Sequence, residues 1–158
     1  MRTRAALVLL CVAAAGSAVA QAPVPLPSPG DVIPAFVADR VSGTSEYVDF
    51  PKGSTTILLF FLSGCPQCQR MIPEWNRAFE RRPAGVKVIG VLMDQEPPGF
   101  FVAMPISFPV VRAPGREFLR SLKVNRVPLT LRVGPGGKVE DVDIGPPDPI
   151  RLGELFRR

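Results

Sequence analysis

Residues 56–68 read TILLFFLSGCPQC, and the fold of the chain turns on them. Residues 56–62 form a continuous run of β-branched, aliphatic and aromatic side chains, without the polar alternation of a half-exposed strand. Such a run suits a central strand covered on both faces. It ends at Ser63 and Gly64, and a helix can begin around Cys65 and Pro66. Proline is tolerated in a helix's first turn, where its missing N–H removes no hydrogen bond. The C-P-Q-C motif therefore sits where a buried strand hands over to a helix. A helix N-terminus presents unsatisfied N–H groups and roughly half a positive charge. Both favour a thiolate, so the Cys65 thiol is expected below the free value of about 8.5. Cys65, at the outer edge of the turn, is the expected nucleophile. Cys68, one turn on and deeper, is the expected resolving thiol. The two-residue spacing lets the sulfurs meet without backbone movement.

Outward from this stretch, the helix is expected to reach Arg81 and to stop at Pro83 and Gly85. Met71, Trp75, Ala78 and Phe79 recur at spacings of 3–4 and share one face, and Pro73 should kink the helix. Residues 86–93 (VKVIGVLM) read as a second buried strand, which completes a βαβ unit. Before it, residues 34–41 and 46–50 flank Ser42-Gly43-Thr44-Ser45 and suggest a small N-terminal hairpin. Pro97, Pro98 and Gly99 break the chain ahead of a short helix or loop through Met104. Residues 108–111 read as a short extended segment. Residues 115–122 read as helix with Phe118, Leu119 and Leu122 inward. Residues 128–133 and 138–144 are expected strands, joined by G-P-G-G at 134–137, a strong hairpin pattern. Residues 149–156 close the chain as a short helix. The fold class is α/β, with a mixed central sheet flanked by helices. The sheet is parallel through the crossover and antiparallel at the hairpin.

The first 20 residues differ from the rest. Arg2 and Arg4 precede an apolar run at 5–15, and Ala18-Val19-Ala20 forms an A-x-A site before Gln21. This is the pattern of a cleaved secretory signal peptide. A membrane anchor is the alternative, but the run falls short of the ~18 apolar residues of a spanning helix. Residues 21–29 (QAPVPLPSP) form a Pro-rich tether, and residues 30–158 are the folded domain. Of 19 basic residues two lie in the leader, whereas none of the 14 acidic residues does, so the net charge falls from +5 to +3 without it. The arginines are scattered, which reads as a solvated surface and not as a nucleic-acid face. Export also removes Cys11, which leaves Cys65 and Cys68 alone.

The chain contains no histidine. That excludes Ser-His-Asp and Cys-His catalysis and any histidine-ligated metal. Zinc needs four ligands, so only an all-cysteine site shared between two chains would survive. A c-type haem needs C-x-x-C-H, and Gln69 follows Cys68. A peroxidatic cysteine would want threonine three residues ahead, where Leu62 stands. A structural disulfide closing four residues would restrain the unfolded chain by only ~2 kcal/mol. Dithiol–disulfide exchange leads, with no cofactor and no metal. A second element is Val127-Pro128, just before an apolar strand. By itself it reads as a trans proline at a strand start.

Taken together, these residues resemble the thioredoxin superfamily, and within it the secreted TlpA/ResA-like thiol-disulfide oxidoreductases. Gly30-x-x-x-Pro34-x-Phe36 is similar to that family's N-terminal lead-in, and residues 56–68 to its strand and C-x-x-C segment. Pro73 matches the helix proline, residues 106–111 (ISFPVV) the N-F-P-V-V segment, and Val127-Pro128-Leu129-Thr130 the cis-proline loop. The resemblance implies a cis Pro128 beside the cysteines, with the Val127 backbone pairing with an extended peptide. Pro66 and Gln67 then tune the couple. It also implies a periplasmic or secreted monomer without a cofactor, acting on a cysteine-containing exported client and kept in its working redox state by a membrane or periplasmic partner. Cytochrome c or protein maturation is the expected setting. Pro66 resembles the dipeptide of oxidising periplasmic enzymes, whereas Gln67 supplies no charge to hold a thiolate, so a potential between the extremes is expected, and the family resemblance favours a reducing role over an oxidising one. A non-catalytic binding module or copper metallochaperone on the same fold is the rival reading. Three positions depart from the family. Gly64 replaces the usual tryptophan, Met71 the TlpA-like glutamate, and Leu59 the buried aspartate of cytosolic thioredoxins. Cys68 is therefore expected to lose its proton slowly, or through water.

Overall fold

The structure is a computed structural model that describes residues 25–146 and 148–157. The expected signal peptide at 1–20 and the start of the tether lie outside the described residues. Among the described residues, seven strands and four helices follow one another as β1 (Phe36–Asp39), β2 (Ser45–Val48), β3 (Thr55–Phe61), α1 (Pro66–Glu80), β4 (Val86–Leu92), α2 (Phe100–Ala103), β5 (Val110–Arg112), α3 (Arg116–Ser121), β6 (Leu129–Val133), β7 (Val139–Ile144) and α4 (Pro149–Arg157). A 3-10 turn at Pro135–Gly137 joins β6 to β7.

The main sheet has the order β5-β4-β3-β6-β7. Strands β3, β4 and β5 run parallel, while β6 and β7 are antiparallel to their neighbours. β3 is central because its side chains need cover on both sides. Thr56, Ile57, Leu58, Leu59, Phe60 and Phe61 are all at most 1% exposed. Leu58 and Phe60 face one apolar cluster, under the β1–β2 hairpin and the Phe118 and Leu119 side chains of α3. Ile57, Leu59 and Phe61 face the other, built with Cys68, Met71, Ile72 and Trp75 of α1 and with Leu152, Leu155 and Phe156 of α4. Truncating a wholly buried aromatic such as Trp75 would cost about 3–5 kcal/mol.

The mixed sheet and the hairpin agree with the sequence expectations, and the element ends are adjusted by neighbours. The β1–β2 hairpin is shorter than 34–41 and 46–50. Val41 leaves it to donate its N–H to Val110 O of β5 (3.2 Å), and Phe50 leaves it to accept from Gly136 N (2.9 Å). The segment expected at 108–111 becomes a strand only after Pro109, which has no N–H for a ladder. Phe108 instead packs edge-on against Trp75 and Phe79. Helix α1 continues through Pro73 as one element.

Arg132 lies inside β6 and is only 5% exposed, yet its guanidinium is satisfied. It donates to Leu155 O of α4 (2.8 Å), Glu140 Oε2 (3.0 Å) and Thr55 Oγ1 (3.2 Å). A cation at the last carbonyls of a helix complements its dipole, so this arginine ties α4 to the sheet.

Gly137 closes the β6–β7 turn with φ +81°, and its carbonyl accepts from Ile33 N (2.8 Å). A Cβ there would stand 1.9 Å from Ile33 O, whereas one at Gly136 (φ +70°) would meet nothing within 4 Å. Gly137→Ala is expected to lower stability by roughly 3 kcal/mol, and Gly136→Ala by about 1 kcal/mol, because only the first adds a backbone clash to the left-handed strain. Urea midpoints of the two variants test this, and equal losses would contradict it.

Candidate active site

The site is built where β3 gives way to α1. The parallel strands β3 and β4 end side by side, with Phe61 in register with Leu92. Cys65 is the N-cap of α1, in extended backbone conformation (φ −87°, ψ 114°), and Pro66 occupies the first turn. A capping residue's side chain accepts from an N–H two or three residues on. Here a sulfur does so, as Cys68 N donates to Cys65 Sγ at 3.2 Å. Cys65 is half-buried, and Pro66 and Gln67 are exposed. Both thiols are free, and Cys68 is wholly buried.

Burial makes the two thiols unequal. Loss of water around Cys68, and then its hydrogen bond with Cys65, push its thiol from 9.0 up to about 12. Cys68 belongs to the same apolar cluster as Leu59 and Met71, which are 0% and 3% exposed. Leu59 stands where cytosolic thioredoxins were expected to carry an aspartate and Met71 where TlpA-like proteins were expected to carry a glutamate, and here both are apolar. A Cβ on Gly64 would meet nothing within 4 Å, so the position of the usual tryptophan is open above the turn.

The turn ahead of Cys65 is tied down by two side chains. Asp94, just past β4, accepts from Ser63 N (2.9 Å), Ser63 Oγ (2.9 Å) and Gly64 N (3.4 Å). Gln69 Nε2 donates to Ser63 O at 2.7 Å. Sequence reasoning passed over Asp94 and Ser63, which lie 31 residues apart. The available clue was an acidic residue directly after a buried parallel strand, since the carboxyl ends of such strands gather functional groups.

The Val127–Pro128 bond is cis, as the family resemblance implied. Val127 packs against both apolar clusters, and Cys65 packs against the one that holds Cys68. No backbone hydrogen bond engages Val127 among the described residues, while Pro128 O accepts from Gly145 N (2.8 Å). Pro73 is exposed on α1, one turn beyond Gln69 and remote in sequence from the turn at Ser63.

A family model described as AhpC/TSA family matches residues 29–142. Sporulation thiol-disulfide oxidoreductase A of Bacillus subtilis (strain 168) is 28% identical over 131 residues, covering 77% of this chain and 78% of that protein. Thiol-disulfide oxidoreductase ResA of the same organism is 27% identical over 122 residues, covering 75% of this chain and 68% of its own length. Among solved structures, StoA from Bacillus subtilis matches with a TM-score of 0.67 at 24% identity, over 78% of this chain and 97% of StoA. A Chlorobium tepidum protein described as a candidate thiol:disulfide interchange protein DsbE matches at 0.71 and 25% identity, over 82% of this chain and 95% of its own.

The inequality of the thiols is directly measurable. Iodoacetamide is expected to alkylate Cys65 at least about tenfold faster than Cys68 at pH 8. The Cys68 rate should climb roughly tenfold per pH unit toward pH 11, because the thiolate is the nucleophile and its fraction grows until the raised pKa is reached. Timed quenching and peptide mass mapping give both rates, and equal rates at pH 8 would contradict the inequality.

Proposed function

Because the chain belongs to the AhpC/TSA family, we propose that it is a thiol-disulfide oxidoreductase that exchanges its Cys65–Cys68 pair with cysteines of exported proteins. The observation that carries this reading is the pairing of an accessible sulfur at a helix N-terminus with a buried one a single turn away. Leu62, three residues ahead of Cys65, speaks against a peroxidatic role for that cysteine. The thiol-disulfide oxidoreductase names of the two Bacillus relatives support exchange chemistry.

In the reducing direction, the Cys65 thiolate attacks one sulfur of a client disulfide. A Cys65–client disulfide forms, and the second client sulfur leaves as a thiolate and takes a proton from water. Cys68 then loses its proton to water and attacks Cys65 Sγ. The Cys65–Cys68 disulfide forms, and the first client sulfur leaves as a thiolate and takes a proton from water. The client gains two electrons and two protons, and the protein is left oxidised. A dithiol donor, in or near the membrane, returns the pair to the reduced state. The unengaged Val127 backbone supplies an edge for an extended client segment, with Pro128 holding that loop beside the cysteines. Pro66 and Gln67 are the exposed residues between the thiols that a client meets, and Pro73 supports the helix behind them.

The leader at 1–20 supports export to the periplasm with cleavage, and maturation of cytochrome c or other exported proteins as the setting. No helix among the described residues is long and apolar enough to cross a membrane. The protein works as a monomer without cofactor, metal or nucleic acid.

Cys65→Ser is expected to reduce disulfide-reductase activity to background while leaving the thermal midpoint within a few degrees. Cys68→Ala should accumulate a mixed disulfide whose partner is identified by mass. Activity retained in the Cys65 variant would sink the assignment.

A further inference from the structure

Asp94 is the charged group most closely built into the turn that carries Cys65. Its carboxylate takes the N–H groups of Ser63 and Gly64 and the Ser63 hydroxyl. Ser63 is only 2% exposed, and Gln69 holds its carbonyl from the other side. The peptide group ahead of Gly64 is thus fixed at both ends by side chains.

The carboxylate of Asp94 is met by hydrogen bonds from the turn it holds. Among the described residues no lysine or arginine forms an ion pair with it, and Arg112, which lines the same groove, is paired with Glu96. Two backbone donors that precede the nucleophile are directed to an oxygen and not to sulfur. A negative charge also stands beside a helix N-terminus whose own field is positive.

These two effects act against the helix. A helix N-terminus favours a thiolate placed at it, and stabilising the reduced form makes a couple more oxidising. A fixed carboxylate at the same turn repels that thiolate and withdraws donors from it. We propose that Asp94 is a positioning residue that holds the Cys65–Cys68 couple toward the reducing side. This rests on the exchange reading above and adds to it the device that sets the direction of electron flow.

Equilibration with defined ratios of reduced and oxidised glutathione tests the proposal. The readout is the fraction of Cys65–Cys68 disulfide, quantified by thiol labelling and mass. Asp94→Asn keeps an acceptor for Ser63 N but loses the charge. It is expected to move the equilibrium constant toward the dithiol by about tenfold, or about 30 mV for a two-electron couple. Ser63→Ala removes one hydrogen bond and leaves the carboxylate, so its constant should stay within about twofold of the parent. Asp94→Thr is a second neutral variant, read in the same way should the asparagine variant not fold. A neutral variant within twofold of the parent would overturn the proposal, as would an equal displacement in Ser63→Ala, which would make the effect one of loop packing. A parent protein that never equilibrates with glutathione would overturn the exchange reading itself, and with it this one.

Discussion

A strand sealed from water on both faces has to bring its chain back to the surface somewhere, and β3 does so at Ser63 and Gly64. The rest of the site depends on that exit. Because β3 is buried from Thr56 to Phe61, its end is held rigidly in the sheet. Because α1 begins at Pro66, two residues after Gly64, its first turn is presented at the same edge. The side chains of β3 interlock with a separate apolar cluster on each face, so a shift of the strand would break close packing on both. The cysteines inherit that precision from packing, not from contacts of their own.

The same packing separates the chemistry of two identical side chains. One helical turn is enough to move from a half-buried cap to the interior of an apolar cluster. A thiolate in that cluster loses its water, and neither Leu59 nor Met71 offers a group to take the proton. At the cap, by contrast, a backbone N–H points at the Cys65 sulfur. Asp94 adds a long-range element to this local asymmetry, for it fastens the exit of β3 to the end of β4. The helix dipole and the carboxylate act with opposite signs on one turn, and the balance between them is a property of the assembled sheet.

Much of this could be read in the chain before it was folded. The apolar run at 56–62 announces a central strand, and C-P-Q-C after Ser63-Gly64 announces a helix start. The mixed sheet follows from the order of strands and turns, and the resemblance through Pro73, the 106–111 segment and Val127-Pro128 pointed to the family to which the chain belongs. Less legible were features whose reasons lie elsewhere in the chain. The ends of the β1–β2 hairpin are set by Val110 and Gly136, and Phe108 is drawn out of a strand by Trp75 and Phe79. Arg132 is a buried cation in a strand, which composition alone would not suggest.

The sequence by itself determined the local events: where the chain is buried, where it turns, where its thiols fall, and which chemistries fail for want of histidine. These depend on side-chain type and on spacings of a few residues. The tertiary structure decided everything that requires two distant segments to meet. It placed Asp94 against Ser63 and Gly64, closed the β6–β7 turn on Ile33, and sank Cys68 among the side chains of β3 and α1. The physical reason is that hydrogen bonds and desolvation act over a few ångströms. A partner 31 residues away in sequence has no effect until the parallel pairing of β3 and β4 brings it within reach.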